Sequence, residues 1–327
     1  MTRTAGSFWV VAPGVGEIRT VEVPEPGPDE VLVRTLFTAV SRGTEQLVWR
    51  GGVPPSEHLT MRAPFQEGEF PGPVKYGYLN VGSVEVGPPH LVGRTVFCLY
   101  PHQSAYVVPA AAVTVVPDQV PARRAVLAGT VETAVNALWD AGPLVGDRVN
   151  VVGAGMVGCC VARLLAQIPG TAVTLVDVDP GRAATAEALG VDFALPDRAP
   201  EARDLVVHAS ATSAGLQLSL DLLAPEGTVL DLSWYGDTEV TLSLGGSFHS
   251  GRLAVRASQV GLIAAARRSR RTHADRLALA LDLLSDPAYD VLLGDDCELA
   301  ELPAVMAALA TGGRRTIGQV VTYRRGP

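Results

Sequence analysis

The most specific chemistry in this 327-residue chain sits in six consecutive residues, Gly153-Ala154-Gly155-Met156-Val157-Gly158. They follow the run Val149-Asn150-Val151-Val152 and open a segment with helical spacing over 156–167. Between a strand and a helix, each glycine has a mechanical role. The first permits a tight turn, the second lets the backbone approach a pyrophosphate, and the third lets helix and strand pack closely. The phosphates then meet the amide N–H groups at the helix N-terminus. Met156 and Val157, at that helix start, join Gly153, Gly155 and Gly158 as cofactor-binding candidates. The next apolar run ends at Asp177, about 20 residues past the glycines, where a carboxylate accepts ribose hydroxyls. Its charge repels a 2′-phosphate and Asp179 adds to it, so NAD is expected over NADP. Arg182 is the opposing residue: it either reaches a 2′-phosphate or faces solvent at a helix start. Ser233, directly after a strand expected over 228–232, completes the cofactor-binding set.

Lys75 is the only lysine among 26 basic residues; the rest are arginine. Either an ammonium is needed there, or the lysine has survived an arginine-rich background by chance. The four cysteines, Cys98, Cys159, Cys160 and Cys297, form no CxxC pair and no zinc-ligand spacing with histidine. They are expected as small buried hydrophobes in a reducing compartment. The run Arg267, Arg268, Arg270 and Arg271 is expected as a solvated helix start, with an anionic substrate as the alternative.

Elements of two kinds must position these residues. Over 1–125, short β-branched runs (21–23, 31–35, 81–86, 95–99, 106–108 and 113–116) alternate with Pro/Gly turns, which predicts a β-rich domain. The stretch 50–74, rich in Gly, Pro and Glu, is expected to lie over a surface or a site. From 126 the pattern changes. A helix is expected over 128–141, then strands over 148–152, 172–177, 205–209 and 228–232 alternate with helices over 156–167, 181–189 and 214–223. That alternation predicts βαβ units and a doubly wound parallel sheet. A further strand over 253–260, an amphipathic segment over 276–284, a short helix over 304–310 and a strand over 318–323 follow. The expected division is a dinucleotide-binding domain over 126–263 and a β-rich domain over 1–125 and 264–327.

Composition narrows the function classes. Charged residues make up 18% and the formal net charge is −8, which argues against general binding to nucleic acid or anionic membranes. No apolar run reaches the roughly 18–20 residues of a membrane span. Residues 1–15 lack a basic start followed by an apolar core, so no signal peptide is expected and the chain reads as cytoplasmic.

A β-rich start, this cofactor domain and a C-terminal return resemble the medium-chain dehydrogenase/reductase superfamily, whose first domain is GroES-like and catalytic. The resemblance covers nearly the whole chain. It is carried by Gly77 to Gly82 with Val84-Glu85-Val86-Gly87, by Gly93-Arg94-Thr95-Val96, and by Thr133-Ala134 with Ala137-Leu138. Within it, several segments resemble the hydroxyethyl-bacteriochlorophyllide dehydrogenase-like subgroup: Ser41-Arg42-Gly43-Thr44-Glu45, Met61 to Gly68, Lys75-Tyr76-Gly77-Tyr78, Phe97 to Gln103, and Ser258-Gln259-Val260-Gly261. The chain departs from zinc-dependent members. Arg42 stands where they carry Cys, Tyr78 stands where they carry His, and Glu132 is near but not aligned with a third ligand. The four-cysteine structural-zinc lobe is absent. No metal is therefore expected.

What the resemblance implies about chemistry follows residue by residue. Tyr78 should point towards the substrate oxygen, as its acid or as a pocket wall. Lys75 should lower its pKa, or form a surface ion pair. Thr44 matches a proton-relaying Ser/Thr or is a satisfied hydroxyl in a turn, and Thr133 matches a Thr at the nicotinamide edge or caps a helix. Arg42 stabilises an alkoxide, contacts the pyrophosphate or pairs with Glu45. Tyr100 lines the substrate pocket, and His102 is either a general base or a loop histidine. The expectation is an NAD(H)-dependent, zinc-independent oxidoreductase interconverting a secondary alcohol and a ketone, on a ring or ring substituent. The alternatives are a quinone or enoyl reductase of the same superfamily, or a non-catalytic nucleotide-binding sensor. The expected partners are a small-molecule substrate and, along an edge strand at 253–260, a second copy of the chain in a homodimer.

Overall fold

A computed structural model describes residues 3–314 and 316–323. The chain forms two compact units. One comprises Met1–Gly129, Leu281–Ser285 and Leu293–Pro327, and the other Thr130–Ala280 and Asp286–Leu292.

The second unit is built on six strands. From edge to edge they are Asp192–Ala194, Ala172–Val176, Arg148–Val152, Arg203–His208, Leu223–Asp231 and Ala254–Ala257. Every neighbouring pair is parallel. Numbered along the chain the order is 3-2-1-4-5-6, the doubly wound Rossmann order. Parallel strands covered on both faces read as continuous apolar runs. Here Val149, Val151, Leu175, Val206, Val207, Val229 and Leu230 are all buried. The helices Met156–Ala166, Ala183–Ala188 and Ser213–Asp221 make the crossovers. The final strand is shorter than expected: Ala254–Ala257 is exposed along its length, and the residues after it turn. The arginine run at 267–271 is an exposed turn, ahead of the helix His273–Leu283 rather than inside its start.

The first unit holds two sheets. The smaller orders Val15–Val23, Arg3–Ala12, Val74–Lys75 and Glu67–Gly68. Its long hairpin turns at Pro13-Gly14, where Gly14 takes φ 76°, a left-handed conformation natural to glycine. The larger sheet is organised by Glu30–Val40, which pairs with Asn80–Val86, Ala105–Pro109 and Gly318–Thr322. Its apolar residues Val31, Val33, Ala39 and Val40 are buried. This strand is 11 residues long, and the structure also contains Arg3–Ala12 as a strand and Arg42–Trp49 as a helix. The sequence pattern alone had suggested only the core of the first and neither of the others.

The C-terminal return also differs. It was expected at 264, but residues up to Ala280 stay with the parallel-sheet unit. Arg276, whose side chain is only 1% exposed, contributes to this. Its guanidinium donates to Glu132 Oε1 at 3.0 Å and to Asn136 Oδ1 at 2.6 Å, anchoring the helix His273–Leu283 to Ala128–Ala141. Burial raises the Glu132 pKa, and the charge and hydrogen bond of Arg276 oppose that. Removing one member of a buried pair strands the other. Glu132→Ala should therefore cost the second unit about 3–5 kcal/mol, measured by denaturant unfolding; a loss below about 1 kcal/mol would contradict the anchoring role.

Candidate functional site

The cradle in the second unit is made of close approaches. Gly153 sits at φ 109°. A Cβ on Gly158 would lie 1.9 Å from the Gly153 carbonyl oxygen, and one on Gly153 would lie 2.8 Å from Ser210 N. Both positions therefore require glycine. Gly155 differs: a Cβ there would meet nothing within 4 Å. It is exposed and precedes the helix Met156–Ala166, as a residue approached by a pyrophosphate should be. Asp177 follows its strand and accepts from Ala154 N at 2.7 Å and Asp179 N at 2.9 Å. These bonds fix the carboxylate beside the glycine turn, and each oxygen keeps a lone pair for a ribose hydroxyl. Arg182 lies 3.6 Å from Asp179, so a carboxylate already faces it. Met156 is buried and receives the Thr130 hydroxyl at its sulfur; Val157 and Thr133 are half-buried. Ser233 Oγ accepts from Ala211 N at 3.1 Å.

The first unit carries two polar networks. In one, Tyr78 donates its hydroxyl proton to Ser41 Oγ at 2.6 Å. Burial raises the Tyr78 pKa; hydrogen bonds with Ser41 and Thr44 oppose this, and the charge of Glu45 adds to it. The phenol thus keeps its proton at neutral pH. Glu45 is buried, accepting from Ser41 N at 2.7 Å and pairing with His102 Nε2 at 2.9 Å. A carboxylate only accepts, so Nε2 carries the proton, and Nδ1 is then free to accept from the Thr38 hydroxyl at 2.6 Å. Thr38 in turn meets Tyr323 OH at 3.0 Å. His102 thus lies in the loop before Ala105–Pro109 but is 1% exposed and held on both ring nitrogens, so it is not positioned as an accessible base. Arg42 donates to the Thr316 carbonyl at 3.1 Å, so the partner expected for it, Glu45, is instead held by His102.

In the other network, Lys75 is 1% exposed, which overturns its reading as a surface charge. Its ammonium donates to Glu67, to Gln103 Oε1 at 2.8 Å and towards Tyr100 OH at 3.4 Å. It lies 5.2 Å from the Tyr100 ring centroid, and that ring stacks on Tyr106 at 3.8 Å. Burial lowers the Lys75 pKa, with the Glu67 hydrogen bond and charge opposing. Lysine therefore serves Tyr100 and not Tyr78, and Tyr78 is not acidified as expected. Glu67 and Gln103 complete this site. Both lie in segments that carry the subgroup resemblance, but nothing local pairs them with Lys75, since the contacts join Glu67–Gly68, Val74–Lys75 and the segment before Ala105–Pro109. All four cysteines are buried and unpaired. Among the described residues, no three His, Cys, Asp or Glu side chains are grouped to hold a metal ion, and no helix is long and apolar enough to cross a membrane.

No family model matches the chain. It is 26% identical over 227 residues to an L-threonine 3-dehydrogenase of Rhizobium rhizogenes, covering 62% of this chain and 64% of that protein; it thus spans less than two thirds of that relative. Among solved structures, it is similar to a short-chain alcohol dehydrogenase of E. coli CFT073 complexed with NADH (TM-score 0.77, 16% identity, 98% and 99% of the two chains). It is equally similar to a dehydrogenase of Sinorhizobium meliloti 1021, described as zinc-binding and bound to NADP (TM-score 0.78, 16% identity, 98% and 100%). At such identity the likeness carries the fold: a Rossmann unit with a separate β-rich, GroES-like unit.

The Lys75 site is filled, and a guanidinium is larger than an ammonium and must spread its donors in a plane. Lys75→Arg should lower stability by about 1–3 kcal/mol through overpacking, measured by thermal unfolding. An unchanged midpoint would return Lys75 to a chance survivor.

Proposed function

We propose that this protein is an NAD(H)-dependent oxidoreductase that interconverts a secondary alcohol and a ketone without zinc. The substrate hydroxyl would lie on a ring or ring substituent, as the subgroup resemblance implies. The observation that carries the reading is the glycine cradle with Asp177 fixed beside it in a 3-2-1-4-5-6 sheet. Gly153, Gly155 and Gly158 would hold the pyrophosphate and Asp177 the adenosine ribose. The Asp177 carboxylate supports NAD over NADP because a 2′-phosphate would meet its negative charge, with Asp179 close by. When bound, the nicotinamide supplies or accepts the hydride.

The protein's own residues handle the proton. Tyr78 keeps its phenolic proton and parks it on Ser41. A carbonyl oxygen gaining negative charge is a better acceptor than Ser41, so the proton would pass from Tyr78 to that oxygen as an alkoxide develops. Thr44, next in the same network, supports the phenol. Burial keeps the phenol protonated near neutral pH but also disfavours the phenolate left after donation, and the hydrogen bonds with Ser41 and Thr44 oppose that effect. Lys75 and Tyr100 belong to the other network, in which the Tyr100 ring stacks on Tyr106.

The residues present do not suit zinc at the positions used by zinc-dependent relatives. Arg42 offers a cation already bonded to Thr316 O, Tyr78 a protonated phenol, and the nearby Glu45 and His102 are committed to each other.

Two measurements test this reading. Steady-state NADH oxidation with a panel of cyclic and side-chain ketones should proceed in chelator-treated protein, and Tyr78→Phe should lower turnover by roughly 10²–10⁴-fold with NADH affinity retained. Loss of activity on chelation, restored by zinc, would contradict the metal-free chemistry. Separately, Asp177→Ser should narrow or invert the preference for NADH over NADPH in fluorescence titrations; an unchanged ratio would remove Asp177 from the ribose.

A further inference from the structure

Tyr76 lies two residues before Tyr78 and takes no part in the proton chemistry described above. It is 5% exposed. Its ring stands edge-on to Tyr78, with centroids 6.1 Å apart and planes at 83°. It also packs on Phe70 at 5.6 Å, and Phe70 packs on His58 at 5.5 Å. Gly77, between the two tyrosines, sits at φ 131°, a conformation natural only to glycine. A Cβ there would lie 3.0 Å from the His102 ring. Glycine thus sets the turn that brings the two phenols together, and the whole cluster lies within the first unit.

The two hydroxyls differ in what they meet. Tyr78 donates to Ser41. Among the described residues, the Tyr76 hydroxyl has no hydrogen-bond partner, yet it is not one of the unpartnered polar atoms shut away from solvent. The small exposed part of the residue therefore includes that oxygen. Burial raises the Tyr76 pKa, and the charges of Tyr78 and Glu45 add to the effect. Tyr76 thus keeps its proton at neutral pH, and its hydroxyl lies within the field of the groups that surround Tyr78. A protonated phenol donates one hydrogen bond and accepts others. A substrate seated against these rings excludes solvent, so it must bond this hydroxyl or leave it unpaired, which is costly.

The two hydroxyls are not bonded to each other, so they offer two separate anchor points. The close packing of their rings keeps those points within a few bonds of each other on a ligand. Resting on the alcohol–ketone reading above, in which Tyr78 serves the reacting oxygen, we propose that the Tyr76 hydroxyl determines specificity by hydrogen-bonding a second oxygen of the substrate, on the carbon beside the reacting one. The substrate class is then a vicinal hydroxyketone and its diol. In reduction the hydride goes to the carbonyl carbon and the Tyr78 proton to its oxygen, while the second oxygen stays as it is.

The test compares cyclohexanone with 2-hydroxycyclohexanone, which differ only in that oxygen. Steady-state reduction by NADH should give the unaltered protein a kcat/KM at least about tenfold higher for the hydroxyketone. A site built to bond a substrate hydroxyl discriminates against the analogue that lacks it. Tyr76→Phe keeps the ring and should cut that preference five- to tenfold, the scale of one hydrogen bond. Its thermal midpoint should not fall, because the hydroxyl has no protein partner to lose. No preference in the unaltered protein would overturn the proposal, as would a preference unchanged in Tyr76→Phe, whether turnover of both ketones holds or falls equally. Either result leaves ketone reduction itself standing. If the unaltered protein reduces neither ketone while binding NADH, the alcohol–ketone reading fails and this contact fails with it.

Discussion

The close packing at Gly153 governs the second unit. At this residue the strand Arg148–Val152 ends and the chain turns into the helix Met156–Ala166, with φ 109°. Gly158 packs on its carbonyl from one side, and Ala209 and Ser210 pack on it from the other. Backbone fills the space that side chains occupy elsewhere. Any Cβ at 153 or 158 would push the helix from the sheet or the neighbouring strand from its register. The same turn brings the Asp177 carboxylate onto Ala154 N. The strand-to-helix turn, the packing of the neighbouring strand and the position of Asp177 therefore share one steric constraint.

The first unit solves a different problem, keeping polar groups dry and fixed. Lys75, Glu45 and His102 are buried, and each is satisfied by side chains from distant segments. Unpaired, such groups would each cost several kcal/mol; paired, they hold the segments that carry Tyr78 and Tyr100. The Glu45–His102–Thr38 chain ties the helix Arg42–Trp49 to the larger sheet, which keeps Ser41 in place to accept from Tyr78. The hydrogen bond of the phenol thus connects to a network reaching to Tyr323.

How much of this was legible in the sequence follows from the range of the interactions. The glycine spacing, Asp177 and the strand–helix alternation are local or periodic signals, and the parallel sheet they imply is the sheet observed. The Lys75 network was not legible, because Glu67 and Gln103 meet it only through the folding of the 50–74 stretch against the sheet. Lysine's rarity flagged the position but suggested the wrong partner. Arg276 was hidden by type: its segment reads as amphipathic, and nothing local says that an arginine points inward. It is one of the buried contacts of the parallel-sheet unit, which extends to Ala280.

The central claim is that a dinucleotide binds this cradle with its adenosine ribose on Asp177. Equilibrium titration of the unaltered protein with NADH and NADPH, side by side at the same ionic strength, addresses it most directly. The account predicts one NADH per chain, bound at least about tenfold more tightly than NADPH, since a 2′-phosphate beside a fixed carboxylate loses on the order of 1.4 kcal/mol or more. NADPH binding as tightly as NADH, or more tightly, would contradict it.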